Sequence, residues 1–257
     1  MGVKKERPDI AIVAPVYNEV EGIGNVIDSW VKVLESGISK KIWKNYEIVI
    51  CDDGSTDNTS EIIESRMHRN SSIKLIRNLK NLGAGSSLYK AIRNSTGEYL
   101  ALMDTDGQFN PIEIIEMYEK TKKYNFVCGI RTKNSNMTHD FASRLSTGYA
   151  NFLFGSKVKD FNCQLKLVPG DFMRSQNLRA TRMNYSGEIT YLILHSKLST
   201  LWMEIDHKER VSGKSKTKLI KDGAARFLFL TYLGLENFLS NRKVIDLENA
   251  HLESARK

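Results

Sequence analysis

Short apolar runs alternate with amphipathic stretches along the first 130 residues. Five of these runs have the length of buried strands: Ile10 to Ala14, Glu47 to Cys51, Ile73 to Ile76, Tyr99 to Met103 and Phe126 to Ile130. The segments between them are predicted to contain helices, one after each of the first four strands. This alternation predicts an α/β fold in which helices cover both faces of a mostly parallel sheet.

The second half of the chain has a less regular pattern. Helical spacing predicts helices over 142–154, 187–195 and 218–240, and a polar helical tail over 241–257. Strands are predicted over 158–168 and 201–205. We therefore divide the chain into an α/β domain over 1–217 and a C-terminal helical tail over 218–257.

Polar clusters follow the first, second and fourth strands. They read A-P-V-Y-N-E (Ala14 to Glu19), D-D-G-S-T-D (Asp52 to Asp57) and D-T-D-G-Q (Asp104 to Gln108). Ligands of such sheets bind outside the carboxyl ends of the strands, so we expect the three clusters to meet at one edge. An Asp-Gly turn after a core strand would explain one cluster, but not three at the same edge.

The third cluster has the residue types of a metal site. Asp104, Asp106 and Gln108 alternate along the chain, and alternate residues of an extended segment point the same way. Three oxygen ligands suit Mg²⁺ or Mn²⁺, which keep open positions for phosphate oxygens.

Composition and charge limit the kinds of molecule that the protein is expected to bind. The 257 residues are 41% hydrophobic and 26% charged, as in globular proteins, and the net charge of +8 indicates an anionic partner. No Lys/Arg-rich run has interleaved aromatics, so we expect no nucleic acid. The 3 cysteines lie in or beside apolar runs and are expected to be reduced thiols in a cytosolic protein. We expect no signal peptide and no membrane-spanning segment.

The order of these motifs resembles that of family 2 glycosyltransferases of the GT-A fold, over roughly residues 9 to 217. P-V-Y-N-E, D-D-G-S-T-D, N-L-G-A-G and Y-L-A-L-M-D-T-D-G-Q carry the resemblance. The later segments G-I-R, R-L-S, D-F-N-C-Q-L-K-L and H-K-E-R-V-S-G-K-S-K are similar to the dolichol-phosphate mannose synthase branch. The resemblance implies a nucleotide-binding half over about 9–131 and an acceptor half over about 132–217.

The resemblance also implies an activity and its residues. The activity would be metal-dependent transfer of a hexose from a UDP- or GDP-sugar to a polyprenyl phosphate, by a protein peripherally associated with the cytoplasmic face of a membrane. The residues implied to bind the nucleotide-sugar are Pro15, Tyr17, Glu19, Asp52 or Asp53, Asp104, Arg210, Ser215 and Lys216. Mg²⁺ or Mn²⁺ would bind to Asp104, Asp106 and Gln108, and the acceptor phosphate to Arg131 and Arg144. Gln164 stands where the family pattern usually has Gly, and its side chain is expected to narrow the sugar pocket or change donor choice.

The chemistry of the acceptor separates the remaining alternatives. A phosphate acceptor is already anionic and needs arginines such as Arg131 and Arg144, unless these are surface ion pairs. A hydroxyl acceptor needs a general base, for which the second half offers Glu188 in S-G-E-I-T, with no acid after it. We favour the polyprenyl phosphate and expect inversion at the anomeric carbon. A glycan or glycolipid hydroxyl as acceptor, and a non-catalytic nucleotide-sugar-binding protein, stay open as alternatives. The apolar segment from Phe227 to Leu239 is expected either to lie in a membrane interface or to pack on the domain or a partner.

Overall fold

The computed structural model describes residues 6–132, 137–208, 219–239 and 251–254. For 137–142, 219–222, 237–239 and 251–254 it describes the backbone alone. The strands in this part of the chain are β1 Ile10–Val16, β2 Tyr46–Asp52, β3 Ile73–Arg77, β4 Tyr99–Leu102, β5 Phe126–Arg131, β6 Lys166–Pro169, β7 Thr200–Ile205 and β8 His251–Ser254. The helices are α1 Ile23–Ser39, α2 Thr59–Met67, α3 Ala84–Asn94, α4 Glu113–Lys120, α5 Met137–Phe154, α6 Gly170–Ser175, α7 Tyr185–His195 and α8 Leu219–Leu239.

The strands form one sheet in the order β3-β2-β1-β4-β6-β5-β7-β8. Every pairing is parallel except those of β6, which runs antiparallel to both β4 and β5. The predicted α/β fold with a mostly parallel sheet is confirmed. The strand β6 is therefore inserted between two parallel halves of the sheet.

Two apolar cores lie on opposite faces of the sheet. The first core contains Ile10 and Ile12 of β1 with residues of α1, α2 and α4, and the second contains Ala11 and Val13 with residues of α3, α5, α7 and α8. Successive residues of a strand point to opposite faces, so β1 contributes to both cores in turn. Helices cover both faces, as the sequence predicts.

The prediction of a strand over 158–168 is wrong for most of that range, because only its last residues, from Lys166 on, belong to β6. Val158 and Phe161 are buried against helices instead. Their backbone N–H groups donate to the side chains of Asn151 and Thr147 of α5, at 3.1 and 3.2 Å. These side-chain acceptors on α5 satisfy the backbone that a neighbouring strand would otherwise satisfy.

In the C-terminal region, the helix predicted over 218–240 is present as α8, whereas the chain after it differs from the prediction. A helical tail was expected over 241–257, but His251–Ser254 form a strand parallel to β7, so the expectation is wrong for those residues. This strand pairs backbone groups of β7 that would otherwise form an open sheet edge. The division of the chain near residue 217 stays a prediction, because 209–218 lie outside the described residues. Within the described ranges, no helix combines the length and apolarity needed to cross a bilayer.

Candidate active site

The loops after β1 and β2 are fastened to each other at the carboxyl edge of the sheet. The backbone N–H of Asn18 donates to Ser55 Oγ at 2.9 Å, and the N–H of Thr56 donates to Asn18 Oδ1 at 2.8 Å. The N–H of Glu19 donates to Thr59 Oγ1 at 2.9 Å. Asn18 adopts a left-handed backbone with φ of 49°, which Asn tolerates better than most residues. The two loops therefore form one unit.

The loop after β4 joins the same edge. The hydroxyl of Thr105, between the two acidic residues, donates to the carbonyl oxygen of Pro15 near the end of β1, at 3.1 Å. Pro15 is buried in its strand, Glu19 is nearly buried and Tyr17 is half-buried. The three polar clusters meet at one edge, as the sequence predicts.

Asp53 binds the protein's own donors. Its buried carboxylate accepts the backbone N–H groups of Leu82 and Gly83, both at 2.8 Å. It also accepts Ser87 Oγ at 2.8 Å and Asn78 Nδ2 at 3.0 Å. Asp53 thus fills the N-terminal end of α3, where helices have unpaired N–H groups.

Asp52 is engaged in the same way. Its carboxylate accepts the backbone N–H and the hydroxyl of Ser55, at 2.9 and 2.6 Å, and the hydroxyl of Ser60. One of these two acids was expected to contact the base or ribose of a nucleotide. Both acids are buried and accept hydrogen bonds from the protein itself, which shape the loops around the site. A contact of either acid with a nucleotide stays a prediction.

Asp104 and Asp106 form the acidic centre. The half-buried carboxylate of Asp104 accepts a hydrogen bond from Tyr185 Oη at 2.9 Å. Burial and the negative charge of Asp106 raise the pKa of Asp104 to about 7, against the opposing effects of Tyr185 and of the positive charge of Arg131. Asp106 accepts the N–H of Gln108 at 3.1 Å. The two carboxylates repel each other when both are ionised, and a divalent cation between them would remove that repulsion. Their oxygen atoms are also the ligands that Mg²⁺ and Mn²⁺ prefer.

Gln108 connects this centre to the chain before residue 209. Its Nε2 donates to the carbonyl oxygen of Lys208 at 3.1 Å, and the N–H of Lys208 donates to the Gln108 carbonyl at 2.8 Å. The side-chain oxygen of Gln108 is the atom that would ligate a metal. Arg210, Ser215 and Lys216 lie outside the described residues, so their roles stay predictions.

Arg131 forms a bidentate ion pair with Asp160. Nε and Nη2 of Arg131 lie 2.8 and 2.9 Å from the two Asp160 oxygens, and Nη2 also donates to Ser143 at 3.2 Å. Burial alone would raise the pKa of Asp160, but the charge and hydrogen bonds of Arg131 outweigh it and lower that pKa. Arg131 is therefore not a surface pair. The next residue after Ser143, Arg144, is exposed.

Glu188 was expected as a candidate general base, and its contacts do not support that role. It is buried, and its two oxygens accept the backbone N–H groups of Arg179 and Ala180 at 2.8 to 3.0 Å. Burial raises the pKa of Glu188 despite these bonds. We assign Glu188 to holding the loop before α7.

The sequence analysis did not predict that Tyr185 and Lys166 belong to this region. Lys166 is buried and donates to the carbonyl of Cys163 and to Ser186 Oγ, the latter at 3.1 Å. Burial lowers the pKa of Lys166. Lys166 lies in an apolar strand, so its residue pattern predicted only a core position. Tyr185, the partner of Asp104, lies on a helix far along the chain, where no local pattern connects it to the acidic residues.

The role of Asp53 leads to a stability prediction. Asp53→Ala should lower the free energy of unfolding by about 3 kcal/mol, because it leaves several buried donors without an acceptor. Asp28→Ala, which removes an exposed ion pair with Arg66, should cost less than about 1 kcal/mol. Urea unfolding followed by circular dichroism measures both. A stable Asp53→Ala protein that no longer binds nucleotide would contradict the loop-shaping role.

Comparisons with known proteins identify the family of this chain. The family model described as glycosyl transferase family 2 matches residues 11–190, more than half of the chain. A dolichyl-phosphate beta-glucosyltransferase from Dictyostelium discoideum is 27% identical over 250 residues, covering 88% of this chain and 76% of that protein. An undecaprenyl-phosphate 4-deoxy-4-formamido-L-arabinose transferase from Edwardsiella ictaluri is 28% identical over 218 residues, covering 82% of this chain but only 64% of the relative.

Solved structures show the same fold. Glucosyl-3-phosphoglycerate synthase from Mycobacterium tuberculosis, in complex with Mn²⁺, UDP-glucose and phosphoglyceric acid, aligns with a TM-score of 0.68. The match covers 89% of this chain and 80% of that one, at 14% identity. The same synthase in complex with Mn²⁺ and UDP-glucose aligns with a TM-score of 0.64, also at 14% identity. At this identity the likeness shows the fold alone, which is GT-A.

Proposed function

This chain belongs to glycosyl transferase family 2 and is a glycosyltransferase, and we propose that it transfers a hexose from a UDP- or GDP-sugar to a polyprenyl phosphate. The observation that carries the proposal is the combination of an acidic centre with Arg131 and Arg144, while Glu188 is occupied by backbone donors. The relatives named for dolichyl and undecaprenyl phosphates support the acceptor class.

The donor end of the site is proposed to contain Asp104, Asp106 and Gln108. A divalent cation, Mg²⁺ or Mn²⁺, would act there as a Lewis acid toward the diphosphate of the donor. Tyr185 holds the Asp104 carboxylate in place by donating to it, which leaves its second oxygen for the cation. Tyr17 and Glu19 are proposed to contact the nucleoside on the joined loops, with Pro15 supporting them. Arg210, Ser215 and Lys216 are proposed to neutralise the leaving phosphates.

The acceptor end is proposed to contain Arg131 and Arg144. An acceptor phosphate oxygen attacks the anomeric carbon as the bond from that carbon to the diphosphate oxygen breaks, which inverts the configuration. The attacking oxygen is already anionic, so no proton has to be removed. Arg131 is held rigidly by Asp160, and Arg144 is exposed and can close on the phosphate.

An exposed apolar surface lies near this acceptor end, on the outer side of α5 and α8. The two helices contact each other through Tyr149, whose hydroxyl lies 2.7 Å from Thr231 Oγ1. On α5, Ala150 and Phe154 face the core, and on α8 Leu230 and Leu233 do so. Four large apolar residues point away from the core and are exposed: Leu145 (55%), Phe152 (83%), Leu228 (73%) and Leu235 (58%).

We extend the proposal to this outer surface, named here the α5–α8 surface, as the place where the protein meets a membrane peripherally. Leu145 directly follows Arg144, so apolar contact and a charge suited to lipid phosphate are adjacent. The three cysteines are buried and free, which suits the cytoplasmic side of the membrane.

The first test is transfer of label from UDP- and GDP-sugars to a polyprenyl phosphate in the presence of Mn²⁺, measured by extraction into organic solvent. We expect lipid-linked label with one donor, and its loss with EDTA. Asp106→Asn should reduce transfer at least about 100-fold, because it removes a charge proposed to bind the cation. The free energy of unfolding should stay unchanged. Asp28→Asn, remote from the site, is the matched control and should retain full activity. Donor hydrolysis without lipid product would instead favour a hydroxyl acceptor, and no donor binding at all would favour a non-catalytic protein.

The acceptor role of Arg144 can be tested separately because the residue is exposed. Arg144→Ala should raise the KM for polyprenyl phosphate roughly tenfold, by loss of one charge-assisted contact, and leave the KM for the donor unchanged. Arg69→Ala, an exposed arginine beyond α2 near the opposite edge of the sheet, is the control. Equal effects of the two substitutions would refute a specific acceptor contact.

The α5–α8 surface predicts binding to vesicles that contain acidic lipid. The double substitution Phe152→Ser and Leu228→Ser should weaken co-sedimentation with such vesicles at least about tenfold, because burying a large apolar side chain contributes about 1.5–3 kcal/mol. Leu79→Ser, which changes a fully exposed leucine before α3, should leave binding unaltered. Undiminished binding of the double variant would exclude this surface.

A further inference from the structure

Gln164 is a buried amide whose donor has no partner. The residue is 5% exposed, and its Nε2 makes no hydrogen bond within the described part of the chain. A buried polar group without a partner destabilises the fold, and most such groups in proteins are paired. The position therefore needs an explanation other than stability.

The pairing of β6 with its neighbours places Gln164 at the acidic centre. Lys166 pairs with Leu102 of β4 and with Cys128 of β5. Both pairings are antiparallel, and one residue before β6 the N–H of Gly129 still donates to the Leu165 carbonyl at 3.0 Å. Continued by one more residue, this register sets Gln164 level with Asp104 on one side. On the other side it lies level with Ile130, the residue before Arg131.

The alternation of side chains places Gln164 on the same face of the sheet as Asp104 and Tyr185. Cys163 and Leu165 belong to the first core, so the intervening Gln164 faces the other way. Met103 also belongs to the first core, and Tyr185 to the second. The side chains of Gln164, Asp104 and Tyr185 thus share the second face.

Resting on the proposed function, we propose that the Gln164 carboxamide hydrogen-bonds a hydroxyl of the hexose that is transferred. That hexose is bonded to the diphosphate near Asp104 and is attacked by the phosphate near Arg131, so it must lie between the two. In the segment that leads into β6, Gln164 is the residue level with Asp104 on one side and with Ile130, next to Arg131, on the other. An amide offers one donor group and one acceptor oxygen, which matches a sugar hydroxyl. Gln164 is then a specificity-determining residue for the donor.

The test is Gln164→Met, which keeps the side-chain length and removes the amide. Its thermal midpoint without ligand should equal or exceed that of the wild type, because an unpaired buried amide is removed. With Mn²⁺ present, affinity for the nucleoside diphosphate alone should be unchanged. Affinity for the nucleotide-sugar should fall about tenfold, the effect of about one hydrogen bond. Gln176→Met is the matched control, since Gln176 Nε2 already donates to the Phe172 carbonyl at 3.1 Å.

Deoxygenated analogues of the donor identify the hydroxyl. The wild type should bind the analogue that lacks this hydroxyl as weakly as Gln164→Met binds the intact donor. Gln164→Met should bind that analogue and the intact donor with equal affinity. A lowered thermal midpoint, equal weakening for diphosphate and nucleotide-sugar, or unchanged affinity for both would each overturn the proposal. A wild type that binds nucleotide-sugar but gives no lipid product overturns only the acceptor assignment. A wild type that binds no nucleotide-sugar overturns both.

Discussion

The site depends on the repulsion between two carboxylates held two residues apart at the end of a buried strand. Burial alone makes the ionised form of Asp104 unfavourable, and Asp106 adds to this. The surrounding contacts oppose the repulsion by fixing the loop: Tyr185 donates to Asp104, and Thr105 donates to the end of β1. The positions of the two carboxylates are therefore set by the loop itself, and a hard metal ion bound there would favour their joint ionisation.

The sequence predicted the sheet and its functional edge well, because both follow from local patterns. Alternation of apolar residues decides which segments are strands, and polar residues directly after parallel strands must meet at one edge. The direction in which an acid points is not a local property. Asp52 and Asp53 follow β2 as a ligand-binding pair would, yet the donors that occupy Asp53 come from 25 to 34 residues further along the chain. The partner of Asp104 is 81 residues away, beyond any sequence pattern.

The second half was harder to predict for a related reason. The apolar residues over 158–165 have the composition of a strand, but α5 supplies side-chain acceptors for that backbone. Glu188 has the position of a base on a helix, but two N–H groups of the preceding loop occupy it. In both cases, a contact between elements decides the outcome. The bidentate pair of Arg131 with Asp160 is another such contact, and it fixes the orientation of the arginine.

The antiparallel strand β6 between β4 and β5 has a geometric consequence. Two inter-strand spacings separate β4 from β5, about 9.5 Å in total. The backbone, rather than any flexible side chain, therefore sets the gap between the strand that leads to Asp104 and Asp106 and the strand that ends in Arg131. Relatives with the same strand order would share this gap, and differences in what they transfer would then arise from the side chains that β6 and its preceding loop place within it.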